Sequence, residues 1–254
     1  MNASSYPVVK LSGKALADPQ ALKSLFASLK DAPAVIVHGG GVEVDALFKA
    51  LGVKVEKKDG LRVSPASQMP LISAALCGQC NKKVQSLAIA AGLNAIGLLC
   101  SDGGTLGVTK APGDLGFVGV PHEGDPEFLL KILSMGITPV ICSLAFDKAG
   151  QMYNINADDA ASELACMLKA PIYYISDVPG VLAKDRSLIE EIDSQKAVAL
   201  VADGTINGGM AVKVRSALNA SARSGQAVCI GSVSDPALST AIAARRRLGT
   251  AVSV

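Results

Sequence analysis

Residues 35–41 read Val35-Ile36-Val37-His38-Gly39-Gly40-Gly41, and a helical spacing of apolar residues follows from Val42. β-Branched residues favour a strand. Three consecutive glycines make a loop without side chains, and a helix opens directly after it. A helix N-terminus carries unsatisfied N–H groups and a partial positive charge. The corner therefore suits an oxyanion, of which phosphate is the commonest. A plain strand-to-helix turn needs a single glycine, and each further one costs backbone entropy on folding.

Outward from this stretch the pattern repeats. Residues 7–11 form an apolar strand, 18–30 a helix with Asp18 as N-cap and Pro19 in its first turn, 34–37 a second strand and 42–51 a second helix. This β–α–β–α order predicts parallel strands joined by right-handed crossovers. Residues 53–64 alternate around Asp59-Gly60 and predict a hairpin. Residues 66–91 read as one long helix, 94–99 as a strand, 106–120 as another hairpin, 125–135 as a helix and 138–143 as a strand. Helices follow at 156–168, 195–201 and 209–223, and strands at 172–175, 227–230 and 250–254. No internal repeat or low-complexity linker divides the chain.

At 254 residues the chain is one large domain or two closely packed lobes. Half of it is hydrophobic (50%) and 18% is charged, with no Trp and 25 glycines, a composition of layered α/β proteins. A net charge of +2 is too small for a dedicated nucleic-acid surface. The basic run Arg245-Arg246-Arg247 reads as a solvated helix end. Residues 1–10 show no charged-then-apolar signal pattern, and Gly92, Asn94 and Gly97 interrupt the richest apolar segment, so neither secretion nor a membrane span is expected. The expected location is the cytoplasm. The six cysteines are scattered, several within apolar patterns where a thiol packs as a small hydrophobe. Cys77 and Cys80 form a CxxC inside a helical pattern without a second pair, which argues against a redox or zinc site.

Four further segments bear chemistry. Lys10 ends the first strand ahead of Ser12-Gly13, where a lysine reaches either bound phosphate or water. Asn154-Ile155-Asn156-Ala157-Asp158-Asp159 opens a helix; capping explains it, and so does a binding amide beside an orienting carboxylate. Residues 176–182, Ser-Asp-Val-Pro-Gly-Val-Leu, form a turn after a strand, at a place that could also bound a nucleotide. Lys213 follows Gly208-Gly209 in the first turns of a helix, where its charge opposes the macrodipole and calls for an anion nearby. There is no GxxxxGK[ST] loop and no GxGxxG after the first strand. His38 and His122 are the only histidines, and His38 reads as a structural member of the glycine loop.

Together VVKLSGK (8–14), VIVHGGG (35–41), KKDGLRVS (57–64), NINADDAA (154–161), SDVPGVL (176–182) and GGMAVKV (208–214) resemble the amino acid kinase family over nearly the whole chain. The resemblance implies a three-layer αβα sandwich around a mainly parallel sheet. It also implies an N-terminal lobe (1–170) for an acyl amino acid and a C-terminal lobe (171–254) for ATP. Within the family the KKDGLRVS hairpin points to the branch that phosphorylates the γ-carboxylate of N-acetyl-L-glutamate in arginine biosynthesis. By that resemblance Arg62 grips the substrate's α-carboxylate, a role suited to a bidentate guanidinium. Asn154 holds the same end, and Gly40 and Gly41 present N–H groups to the reacting end. Lys10 and Lys213 stabilise the transferred phosphoryl group, with Asp158 as organiser between them. Gly13 adds backbone contact, and the nucleotide lies near Asp177, Val178, Pro179, Gly180, Val181 and Leu182 and near Thr205, Ile206 and Asn207. ATP with Mg²⁺ is the expected co-substrate.

Two positions depart from the family pattern: Ser12 stands for a glycine of the first-strand motif, and Gly208 for an aspartate ahead of Gly209-Met210. The short stretch before Lys10 leaves no room for the extra helix of arginine-inhibited members, so an arginine-insensitive homodimer is expected, with helix 66–91 as a contact surface. Kinases for other N-acyl or carrier-linked glutamate or aminoadipate share the expected features. So does a non-catalytic amino-acid- or nucleotide-binding regulator on the same scaffold.

Overall fold

A computed structural model describes residues 6–58 and 60–254. Asp59 of the expected hairpin turn, and the stretch before residue 6, lie outside the described residues. Among the described residues the central sheet has eight strands. Their order is Glu191–Ile192, Thr250–Val252, Val228–Ser232, Ile172–Ser176, Val8–Leu11, Val35–His38, Ile137–Cys142 and Asn94–Leu99. Neighbours pair in parallel except where Thr250–Val252 runs against Val228–Ser232. Hydrogen bonding passes without a break from Val8–Leu11 to Ile172–Ser176, so one sheet runs through both expected lobes.

Alternation along the strands explains the three layers. Val8, Val35, Val37, Ile172 and Tyr174 face one core, closed by helices Glu127–Ser134, Ala157–Leu168 and Gly208–Ser224. Val9, Leu11, Ile36, Tyr173 and Ile175 face the other, closed by Pro19–Ser28, Asn81–Ala90 and Leu238–Ala244. Asp18 caps the first of these helices, its carboxylate accepting the Ala21 N–H at 3.0 Å. Arg245 ends the last one in a left-handed conformation.

The helix expected over 66–91 is continuous in direction but not in hydrogen bonding. It begins as a 3₁₀ turn at Ala66–Gln68, is α at Met69–Ser73, π at Ala74–Cys80 and α again at Asn81–Ala90. The π stretch lies where Leu76 and Cys80 press on the glycine loop, and the Cys80 thiol donates to the Gly39 carbonyl at 3.3 Å. A π turn re-aims side chains that an α-helix would point elsewhere. All six cysteines are free thiols.

Short strands went unread in the sequence pattern. Leu144–Phe146 and Met152–Ile155 join Leu106–Lys110 and Val118–Glu123 in a small second sheet. Asn154 is therefore a strand residue, not part of a helix opening; the helix starts at Ala157, with Asn156 as its cap. Among the described residues no helix is long and apolar enough to cross a membrane.

Candidate active site

The four adjacent parallel strands Ile172–Ser176, Val8–Leu11, Val35–His38 and Ile137–Cys142 bring their carboxyl ends to one edge of the sheet. Crevices at that edge are where open α/β sheets bind ligands. The glycine loop leaves Val35–His38 there, and helix Gly41–Ala50 starts with Gly40 as its N-cap. The first amides of that helix have no carbonyl of their own ahead of them. A Cβ built on Gly13 would lie 3.1 Å from the Val42 side chain, so the loop after the first strand packs against the first turn of that helix.

A cavity of 220 Å³ opens at this corner, lined among others by Gly39, Gly40, Gly41, Arg62, Ser143, Asn154 and Ala157. Arg62 comes from the two-stranded hairpin Lys57–Lys58/Leu61–Arg62. Its side chain is 8% exposed. Nη2 donates to the Gly41 carbonyl at 3.1 Å and to Asp45 Oδ1 at 2.5 Å, and the guanidinium lies 5.5 Å from the Phe48 ring centre. Its other terminal nitrogen, Nη1, is buried and has no partner among the described residues. A buried, charged donor without an acceptor is costly unless a ligand supplies one. Asn154 donates to Ser64 Oγ at 3.1 Å, and Ser64 donates onward to the Arg62 carbonyl at 3.0 Å.

A cationic cluster lies beside the cavity. Lys10 Nζ is 2.6 Å from Asp158 Oδ1. Asp158 sits in the first turn of Ala157–Leu168, where Asn156 Oδ1 accepts its N–H at 2.8 Å. Tyr174 donates its hydroxyl to the Asp158 carbonyl at 3.3 Å. Lys213 is half-buried in the first turns of Gly208–Ser224. Burial and then the neighbouring Lys10 charge lower its pKa, while Asp158 and Asp177 oppose that shift. Residues 10, 158, 177 and 213, far apart in the chain, thus share one electrostatic neighbourhood. Three ammonium groups, those of Lys10, Lys14 and Lys213, against the carboxylates of Asp158 and Asp177 leave the neighbourhood short of negative charge, the condition for anion binding.

Sequence reading missed Lys14, which reaches Asp177 at 3.1 Å, and Ser176, which donates to Asp177 at 3.0 Å. Lys14 closes the VVKLSGK motif, so its position was the available signal. Ser12 substitutes for glycine without loss of order, because its hydroxyl accepts the Ala15 N–H at 3.2 Å and caps the following turn. Gly208 has φ +47°, a left-handed conformation that glycine adopts without steric cost.

The expected nucleotide loops divide. Asp177 joins the charged cluster, whereas Val181 is buried, its N–H donating to Thr250 Oγ1 at 2.7 Å. Leu182 pairs with Leu188 in a short hairpin. Val178, Pro179 and Gly180 form the connection between strand and hairpin. Thr205, Ile206 and Asn207 connect the helices Ser194–Ala202 and Gly208–Ser224, just ahead of the turn bearing Lys213. Ile206 is buried, and its N–H is already bonded to the Leu200 carbonyl. The side chains of Val181 and Ile206 pack in the core.

His38 is fully buried between the Gly39 carbonyl, 2.6 Å from Nδ1, and Asn81 Nδ2, 3.0 Å from Nε2. Burial lowers its pKa from 6.5 to about 4, against a smaller opposing effect of the Gly39 bond. The folded protein thus holds neutral imidazole, while the unfolded chain takes up a proton as pH falls through 6.5. This contribution to stability is complete above pH 6.5 and is lost progressively down to pH 4. At 1.36 kcal/mol per unit it amounts to about 3 kcal/mol. Urea unfolding at about pH 7 and about pH 4.5 should show that fall. The fall should shrink in His38→Gln, and equal pH slopes for the two proteins would count against it.

Gly40 faces the same helix. A Cβ there would sit 2.6 Å from Leu76 Cδ2 and 3.4 Å from Cys80. Gly40→Ala should destabilise the fold by about 1–3 kcal/mol through overpacking. Denaturant unfolding reads the change, and an unaltered midpoint would mean that Leu76 moves aside freely.

Comparison with known proteins decides the lineage. Residues 6–232 match the amino acid kinase family. The chain belongs to the amino acid kinase family. Its curated relatives include acetylglutamate kinase of Aeromonas salmonicida, 40% identical over 97% of this chain and 98% of the relative. Acetylglutamate kinase of Moritella profunda is 42% identical over 85% of this chain and 84% of its own length. Among solved structures, smu.665 of Streptococcus mutans superposes with a TM-score of 0.83 at 27% identity, covering 98% and 99% of the two chains. Carbamate kinase of Giardia lamblia bound to AMP-PNP shares the amino acid kinase fold at a TM-score of 0.70 and 17% identity, over 100% of this chain and 99% of that one.

Proposed function

We propose that this chain transfers the γ-phosphoryl group of ATP to the γ-carboxylate of N-acetyl-L-glutamate, giving N-acetyl-L-glutamyl 5-phosphate in arginine biosynthesis. The observation that carries the reading is the adjacency of two recognition chemistries. A buried guanidinium with an unpartnered nitrogen faces the glycine-loop corner, and the Lys10–Asp158–Lys213 cluster adjoins that corner. The names of the curated relatives support the same acceptor.

A carboxylate is already a nucleophile and needs no general base. The difficulty is bringing one anion to another while charge spreads over the migrating group, so positioning and positive potential do the catalysis. In this reading Arg62 and Asn154 hold the amino-acid end, and the Gly40 and Gly41 amides direct the γ-carboxylate. Lys10 and Lys213 flank the transferred phosphoryl group, and Asp158 keeps the two cations from repelling each other out of place. ATP enters as its Mg²⁺ complex, the metal riding on the phosphates as is usual for this ion. Asp177 and Lys14, with Gly13 and the loops at 178–182 and 205–207, border the nucleotide. Residues 1–170 hold the acyl amino acid and residues 171–254 the nucleotide, within the continuous sheet. The reading includes a cytoplasmic homodimer with helix residues 66–90 in its contact, which sedimentation of the purified chain would test.

The decisive experiment is ATP turnover with and without N-acetyl-L-glutamate, alongside N-formyl and N-succinyl analogues. Turnover dependent on the acetyl compound is expected. Turnover only with a carrier-linked glutamate or aminoadipate would replace the substrate. Binding without turnover would make the chain a regulator.

A further inference from the structure

We infer that Asp45 is a positioning residue that holds the Arg62 guanidinium and ties the hairpin to the glycine-loop helix, so that both ends of the acceptor are gripped in one frame. The inference rests on the reading above, in which Arg62 is the carboxylate clamp.

Asp45 lies on helix Gly41–Ala50, one turn beyond the glycine loop. Its two oxygens serve both strands of the hairpin: Oδ1 accepts Arg62 Nη2 at 2.5 Å, and Oδ2 accepts Lys57 Nζ at 3.1 Å. Lys57 and Arg62 are themselves cross-strand partners, so one carboxylate clasps the hairpin at a single rung. The Phe48 ring, on the same helix, lies 5.5 Å from the guanidinium carbon. Arg62 Nη2 also donates to the Gly41 carbonyl at 3.1 Å, at the first residue of that helix.

The consequence is geometric. Among the described residues the partners of the guanidinium, Asp45, Phe48 and the Gly41 carbonyl, belong to the one helix that begins at the glycine loop. Nη2 is consumed by these contacts, whereas Nη1 is buried and has no acceptor among the described residues. Burial works against a charge on Asp45, and the Arg62 and Lys57 hydrogen bonds outweigh it, keeping the carboxyl below its usual range. Asp45 therefore stays an anion at neutral pH and leaves Arg62 one free nitrogen for the ligand. A guanidinium held in a fixed orientation loses less freedom on binding than a mobile one.

The test is a double-mutant cycle on steady-state kinetics, with Asp45→Asn, Arg62→Ala and the pair, and with thermal melts as a folding control. Asp45→Asn alone should raise KM for N-acetyl-L-glutamate by about tenfold while KM for ATP stays within about twofold. In the Arg62→Ala background the same change should add nothing, because its target is gone. Asp45→Glu, which keeps the charge, should recover part of the loss. Independent, additive effects of the two substitutions would overturn the inference, as would equal shifts in both KM values. If Asp45→Asn does not fold, Asp45→Glu against Lys57→Ala reads the same selective KM shift, and its absence in both would also overturn it. A wild-type chain without N-acetylglutamate-dependent turnover would instead remove the underlying reading.

Discussion

Lys10→Ala and Lys213→Ala are each expected to lower kcat by on the order of a hundredfold or more, with far smaller changes in either KM. Each lysine supplies a charge that is present before the reaction and that matters most as negative charge spreads over the migrating phosphoryl group. Lys10 is fixed at 2.6 Å from Asp158, and both side chains are largely buried, at 12% and 19% exposure. Lys213 already bears the opposing influences of burial and the Lys10 charge, which an anionic ligand would relieve. Removing either cation leaves one of the two lysines assigned to the phosphoryl group to serve both it and Asp158. Lys10→Ala also strands a largely buried carboxylate, so its melting temperature should fall further than that of Lys213→Ala. Rapid-quench measurement of the chemical step checks the rate, and an unchanged kcat in either variant rejects the role assigned to that lysine.

Arg62→Lys should raise KM for N-acetyl-L-glutamate by about tenfold or more and leave KM for ATP nearly unchanged. The substitution keeps the charge and the stem. What is lost is the planar fork, which here makes three contacts at once: to Asp45, to the Gly41 carbonyl and to the Phe48 face. A single ammonium group cannot satisfy those partners and still offer a second nitrogen to a carboxylate. Initial-rate kinetics with each substrate varied in turn separates the two constants. Parallel rises in both would remove Arg62 from the acceptor site.

Both expectations use residues already visible in the motifs, and the motifs were legible for a physical reason. A glycine run after a β-branched strand reports backbone geometry directly, and it located the loop and the helix at Gly41–Ala50. Asp18-Pro19 and Asn156 are capping chemistry, which depends on near neighbours alone, and both caps form as read. His38, read as a structural member of the glycine loop, is fully buried beside it.

The failures share another cause. Three-residue strands such as Leu144–Phe146 are too short for a period to emerge, and they exist because a neighbouring strand supplies their hydrogen bonds. That pairing moved Asn154 from a helix opening to a strand end. The π stretch Ala74–Cys80 keeps the apolar spacing of an α-helix, so spacing alone did not distinguish them.

Chain order and local chemistry sufficed for the layered α/β class and the glycine corner, because strand alternation, capping and loop flexibility are set by residues a few positions apart. The hold of Asp45 on Arg62, the shared field of residues 10, 158, 177 and 213, and the burial of Val181 and Ile206 emerged only on folding. Those features depend on how a hairpin docks on a helix, on distances between segments far apart in the chain, or on which face of a loop meets the core, and no local pattern encodes these.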